Sequence, residues 1–137
     1  MKRIFTLAML AAGLSSLIGC ACTGGDRSDP ANTIRMTSGL KYEPAELRIQ
    51  AGQTVHWKNV SIMPHTVTAD PAIAKKPEHV SLPSGAEPFN SGTIRPGKSF
   101  ERVFTVPGTY RYFCIPHENS GMVGTVNAEA AATTSRP

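Results

Sequence analysis

Disulfides, long apolar runs and basic clusters are all scarce in this sequence, and each scarcity removes a class of protein. Three cysteines in 137 residues are too few for the stapled frameworks on which small exported domains often depend. Apolar runs are short except near the N-terminus, so no spanning helix of about 20 apolar residues is expected. Lys and Arg total 14 against 10 Asp and Glu, yet no basic run is longer than the pair Lys75–Lys76, and nucleic-acid binding is set aside. Long helical periods are missing too. Instead, 11 Pro and 12 Gly punctuate short apolar segments, a composition suited to one small domain.

The first twenty residues, MKRIFTLAMLAAGLSSLIGC, place two basic residues before an apolar stretch from Ile4 to Ile18 and end on small residues at a cysteine. That layout is a secretory signal. Its last four residues, LIGC, resemble the lipobox of bacterial lipoproteins, which implies cleavage before Cys20 and attachment of lipid to its thiol. The alternative is an ordinary signal cleaved at another small residue nearby. Lipidation would tether the domain to a membrane of the bacterial cell envelope, on the periplasmic or extracytoplasmic side, because several acyl chains hold a protein firmly. Loss of residues 1–19 removes Lys2 and Arg3, leaving a mature net charge of about +2.

Residues 20–32, rich in Gly, Ser, Asp and Pro without periodicity, read as a flexible linker. A domain follows over 33–128, and the low-complexity tail 129–137 is expected to fray. Within the domain, TIRMTS, AELRIQ, QTVHWKN, HTVTA, SFERVFTV, TYRYFC and MVGTVNA are short candidate strands separated by Gly and Pro turns. Strands at this spacing indicate an all-β sandwich or barrel. Residues 69–91 lack a clean period and are expected to form a long loop with at most a turn of helix.

Histidine is scarce as well, with 4 in the chain, which makes the crowding of Cys114, His117 and Met122 within one loop bounded by Pro116 and Gly121 informative. Thiolate, imidazole and thioether are metal-ligand types of graded softness that suit copper. Alternation in TYRYFC groups Tyr110, Tyr112 and Cys114 on one face and Arg111 with Phe113 on the other, so Cys114 is expected to point inward. The same rule turns His56 outward beside Lys58. His79, in the long loop, is expected to be solvated. His65 remains: it follows Pro64 at the start of an apolar alternation and is placed to add the second nitrogen to a His2Cys set with a weak axial Met. With Cys20 lipidated and Cys114 a ligand, Cys22 has no assigned role.

From about Thr33 to Ala128 the chain resembles a cupredoxin of the plastocyanin and pseudoazurin type. AGQTVHWKNVSIMPH resembles the segment leading to that family's first copper histidine, and GTYRYFCIPHENSGMVGTV resembles its Cys-His-Met loop. The resemblance implies a Greek-key β-sandwich in which His65, Cys114 and His117 bind one type 1 copper in a plane and Met122 is the distant axial ligand. It also implies an electron carrier shuttling between Cu(I) and Cu(II) for redox protein partners outside the cytoplasm. Thr66 stands where plastocyanin-like sequences usually have Asn, and its hydroxyl is expected to tie the two ligand loops together with a shorter reach. Phe113 replaces a tyrosine found near the acidic docking site of plant plastocyanins, and the acidic clusters are missing. Pro116, without an N–H, cannot donate to the Cys114 sulfur. Met63, Pro64, Ile115 and Pro116 are expected to form an apolar docking collar around His117.

Two other function classes fit the sequence less well. Copper oxidases and nitrite reductases use cupredoxin domains but need a second copper centre, for which the isolated His56 and His79 supply no ligand set. A copper-handling protein would carry Met- and His-rich stretches, which 5 Met and 4 His do not form. A monomer that is not an enzyme is expected.

Overall fold

The structure, a computed structural model, describes residues 28–131. The signal segment, Cys20, Cys22 and most of the tail lie outside the described residues. Among the described residues, nine strands form two sheets. The first sheet contains β1 (Thr33–Met36), β2 (Tyr42–Glu43), β4 (Thr54–Asn59) and β7 (Ser99–Val103) in the order β2-β1-β4-β7. The second contains β3 (Glu46–Gln50), β5 (Thr68–Ala69), β6 (Phe89–Asn90), β8 (Gly108–Phe113) and β9 (Val123–Glu129) in the order β3-β9-β8-β5-β6. The chain crosses repeatedly between the sheets, and β1 runs parallel to β4 as β3 does to β9. With only two short 3-10 turns besides among the described residues, this is a cupredoxin-like β-sandwich.

Period-two patterning builds the interior. In β4, Val55, Trp57 and Asn59 are buried while Thr54, His56 and Lys58 are partly exposed. Trp57 lies edge-on to Tyr112 at 5.4 Å between ring centroids, and Ile34, Met36, Tyr42, Val67 and Phe104 complete the layer between the sheets. Each such apolar side chain contributes about 1.5–3 kcal/mol when fully buried. Gly124 lies directly opposite Tyr112 in the β8–β9 ladder. A Cβ there would come within 2.4 Å of the tyrosine ring, so the ring occupies the space of the absent side chain.

Several sequence expectations are corrected here. Two-residue strands β2 and β6 form where no period was visible. Residues 69–91 contain the 3-10 turn Pro77–His79, within the turn of helix expected, and in addition a bridge from Ser81 to Arg111, so the segment borders the second sheet. The expected strand HTVTA is reduced to Thr68–Ala69, with His65 making only an isolated bridge to Ile94. Phe113, placed on the solvent side with Arg111, is fully buried outside the main core cluster. The Pro77–His79 turn packs against β8, so this part of the outer face is covered and alternation no longer reports exposure.

Candidate metal centre

The site is built where two segments leave the sandwich at the same end. The first runs from the end of β4 through Asn59–His65. Asn59 is fully buried and satisfied on both sides of its amide: Nδ2 donates to the carbonyls of Met63 (2.7 Å) and Ile94 (2.9 Å), and Oδ1 accepts from the Ser61 N–H (2.9 Å) and hydroxyl (2.8 Å). That hub shapes the turn that delivers His65. The second segment is the loop after β8. Cys114 follows the last residue of the strand, Ile115–Ser120 make a 3-10 turn kinked at His117 (φ −120°, ψ 17°), and Gly121 closes it in the left-handed region at φ 77°. The Cys114 N–H donates to the Met122 carbonyl at 3.0 Å, joining the two ends of the loop.

His65, Cys114 and His117 converge there, their ligand atoms all within 4.8 Å of one another. The Cys114 Sγ lies 3.7 Å from Nδ1 of His65 and 3.4 Å from Nδ1 of His117, and the two imidazoles are 5.0 Å apart between centroids. His65 and Cys114 are fully buried, and His117 is half-buried at the surface. Met122, also fully buried, follows the turn.

The histidine tautomer is set by a residue the sequence reading missed. Ser61 Oγ lies 2.8 Å from Nε2 of His65. Its own hydrogen has acceptors in Asn59 Oδ1 (2.8 Å) and the Met63 carbonyl (2.9 Å), so the oxygen is left to accept from Nε2–H. Nδ1 is thereby bare and turned toward the sulfur, the arrangement a metal-binding imidazole needs. Burial lowers the His65 pKa, with the neighbouring His117 adding to the effect, and keeps the ring neutral. Burial likewise raises the Cys114 thiol above its ordinary range, and hydrogen bonds from Thr66 and His117 offset this in part.

Thr66 connects the two segments. Its N–H donates to Cys114 Sγ at 3.3 Å, its Oγ1 accepts from the Ile115 N–H at 2.8 Å, and its carbonyl accepts from the buried Tyr42 hydroxyl. Pro116 is exposed and Met63, Pro64 and Ile115 are partly or fully exposed beside it. Pro64, Ile115 and Pro116 line a cleft of about 400 Å³ that reaches His65 and Thr66. Ile62 (86% exposed) and Val60 (49%) add apolar surface to the adjoining turn, which was not anticipated.

Sequence reading also misplaced His79 and overlooked Glu118. The His79 side chain is only 12% exposed, with Nδ1 3.4 Å from the carboxylate of Glu118, which is itself 1% exposed. Burial alone would raise the Glu118 pKa, but the Lys75 and Lys76 amides and His79 outweigh it, so the carboxyl sits below its usual range. His56 faces Glu101 on the sheet surface at 3.3 Å, away from the site.

One buried thiolate donor, two imidazole nitrogens and a nearby methionine make a soft, low-coordinate set that fits copper better than the oxygen-rich sets of magnesium or calcium. The comparisons agree. The family described as "Copper binding proteins, plastocyanin/azurin family" matches residues 30–129. Among relatives, plastocyanin of Scenedesmus fuscus is 33% identical over 68% of this chain and 91% of its own length. Chloroplastic plastocyanin of Hordeum vulgare is 33% identical over 84% and 72% respectively. Among solved structures, an oxidised amicyanin mutant aligns at 29% identity and a TM-score of 0.58, covering 76% of this chain and 87% of that one. A purple cupredoxin from Nitrosopumilus maritimus aligns at 27% and 0.54, covering 71% and 98%. The chain belongs to the plastocyanin/azurin family of copper-binding proteins. It is an electron-transfer copper protein, and His65, Cys114 and His117 are positioned to hold the metal.

Proposed function

We propose that the chain is a single-copper electron shuttle working outside the cytoplasm, with Met122 as the weak axial ligand and His117 as the route by which electrons enter and leave. The observation that carries this reading is the convergence of Nδ1 of His65, Sγ of Cys114 and Nδ1 of His117 within 4.8 Å, with only His117 reaching the surface. Copper would supply a one-electron couple between its +1 and +2 states. The protein's part is to keep the ligand geometry nearly constant between them. Thr66 holds the sulfur and the Ile115 amide in one grip, Ser61 holds the His65 ring, and the buried position of Cys114 keeps water from the thiolate. Apolar surface at Met63, Pro64, Ile115 and Pro116, extended by Ile62, supports a docking face for redox proteins around His117, since apolar patches of this kind mark interaction sites.

The non-enzymatic part of the reading is supported by the likeness to plastocyanins and amicyanin. Among the described residues, the only cluster of three or more His, Cys, Asp or Glu that could hold a metal is the one above, and His56 and His79 pair with Glu101 and Glu118 instead. Attachment to a membrane through lipid on Cys20 is supported by the LIGC sequence. No helix among the described residues is long and apolar enough to cross a membrane. Voltammetry of the copper-loaded domain tests the shuttle: one reversible one-electron wave, with no catalytic current on adding nitrite or oxygen, is expected, and catalytic current would make the chain an enzyme. In the full precursor, Cys20→Ala should release the protein from the membrane fraction or leave it unprocessed. A mature-length variant that still sediments with membranes would refute the lipid anchor.

A further inference from the structure

Glu118 stands next to the ligand His117, yet its side chain turns away from the sulfur and into the protein. Oε1 accepts the N–H groups of both Lys75 and Lys76 at 3.0 Å, Oε2 accepts the Lys75 N–H at 3.1 Å, and Nδ1 of His79 lies 3.4 Å from Oε1. A carboxylate this deeply buried, at 1% exposure, is costly unless donors surround it. Here they are the backbone N–H groups of Lys75 and Lys76, in a segment that, among the described residues, is hydrogen-bonded to the copper loop through this side chain.

We infer that Glu118 is a positioning residue for the copper site: by clamping the 75–79 segment it fixes the kink at His117, and through that kink the ring's place beside Cys114. The copper loop's own bonds leave this point unsecured. Cys114 N–H to the Met122 carbonyl, Gly121 N–H to the Glu118 carbonyl and Met122 N–H to the His117 carbonyl all run within the loop, so they preserve its shape without holding it to the body of the protein. On the Cys114 side Thr66 does that through the Ile115 amide. On the far side of His117 the corresponding attachment is the Glu118 carboxylate. His117, the half-buried ligand, thus lies between two anchors, each tied to a different neighbouring segment.

The inference rests on copper being held by this loop. It is tested on copper-loaded protein with E118A and E118Q, by the visible charge-transfer spectrum and by the rate at which bathocuproine strips copper from the reduced form. Oε1 receives both amides, so the glutamine carbonyl can replace it, but the glutamine NH2 in place of Oε2 faces the Lys75 N–H, so E118Q should stay close to the parent's spectrum and release copper clearly more slowly than E118A. E118A should change the relative intensities of the charge-transfer bands and release copper about ten- to a hundredfold faster, the range typical of lost support around metal ligands. A purely structural Glu118 would lower the unfolding midpoint of E118A and leave both readouts at parent values, which would overturn the inference. Equal disturbance by E118Q and E118A would overturn it too, by assigning the effect to charge. Wild-type protein gives an independent check if E118A does not fold. Coupling is reciprocal, so copper loading should slow hydrogen exchange at the Lys75 and Lys76 amides, and identical exchange with and without copper counts against the clamp. Failure of the wild type to take up copper at all would instead defeat the reading of the site.

Discussion

Thr66→Val removes one hydroxyl while keeping the shape of a side chain that is 7% exposed. The change strands the Ile115 N–H, which now donates to Thr66 Oγ1 at 2.8 Å, and takes an acceptor from the Thr68 hydroxyl at 3.3 Å. A net hydrogen bond is worth about 0.5–1.5 kcal/mol, and leaving a buried donor unpaired costs about 1–3 kcal/mol. Ile115 is only half-buried, so water can reach the loop and the lower part of that range applies. The loss should be roughly 1–2 kcal/mol. Urea unfolding of the metal-free domain reads it directly. With a slope of about 1–3 kcal/mol/M the midpoint falls by roughly 0.3–2 M at unchanged slope. Thr66→Ser, which restores the hydroxyl, should recover most of the loss. The Thr66 N–H bond to Cys114 Sγ at 3.3 Å is a backbone bond and survives, so copper-loaded Thr66→Val should remain blue. A valine variant as stable as the parent, or a serine variant as damaged as the valine one, would refute the claim that this hydroxyl ties the ligand loops together.

Four further outcomes follow from the same geometry. Ser61→Ala takes the acceptor from His65 Nε2–H and from the Met63 N–H, so copper affinity should fall about ten- to a hundredfold in competition with a chelator; an unchanged affinity would show that the ring needs no partner. Met122→Gln should retain copper and lower the reduction potential, since an amide oxygen favours Cu(II) over a thioether; a raised or unmoved potential would remove Met122 from the ligand set. Pro116→Ala introduces an N–H that can donate to the sulfur, favouring Cu(I) by a difference of about 1 kcal/mol, or about 40 mV; voltammetry of the copper-loaded variant reads the rise, and a fall in potential contradicts it. Because burial raises the Cys114 thiol and lowers His65, the metal-free site near neutral pH holds a protonated sulfur and a neutral His65 ring. Cu(II) uptake should therefore release about one proton from Cys114, and affinity should rise with pH until the thiol itself ionises; calorimetry in buffers of different ionisation enthalpy counts the proton, and none released would mean that the thiol is already ionised.

What was legible in the sequence was what lies close together in it. Cys114, His117 and Met122 share one short loop, and the inward face of TYRYFC followed from alternation, as did the outward turn of His56 in β4. His65 required one step more, from its place after Pro64 at the head of an apolar stretch. Ser61 and Glu118 were not legible, because their roles depend on which groups the fold brings to them. A serine in a polar turn and a glutamate after a ligand histidine both read as solvated residues until Nε2 of His65 and the amides of Lys75 and Lys76 are seen to face them. His79 was misread for the same reason, its partner lying far away in the chain. Phe113 misled in another way: alternation assigns a face, but whether that face meets solvent depends on a segment with no period of its own. Strands of two residues, such as Tyr42–Glu43 and Phe89–Asn90, are too short for any period to register.

Everything above turns on Cys114 binding copper as a thiolate beside His65 and His117. The most direct measurement is the optical spectrum on adding one equivalent of Cu(II) to the metal-free domain, alongside Cys114→Ser. An intense blue sulfur-to-copper charge-transfer band is expected in the parent and none in the serine variant, whose hydroxyl is a hard and weakly acidic replacement. A colourless parent, or a blue band that survives the loss of Cys114, would remove Cys114 from the copper site.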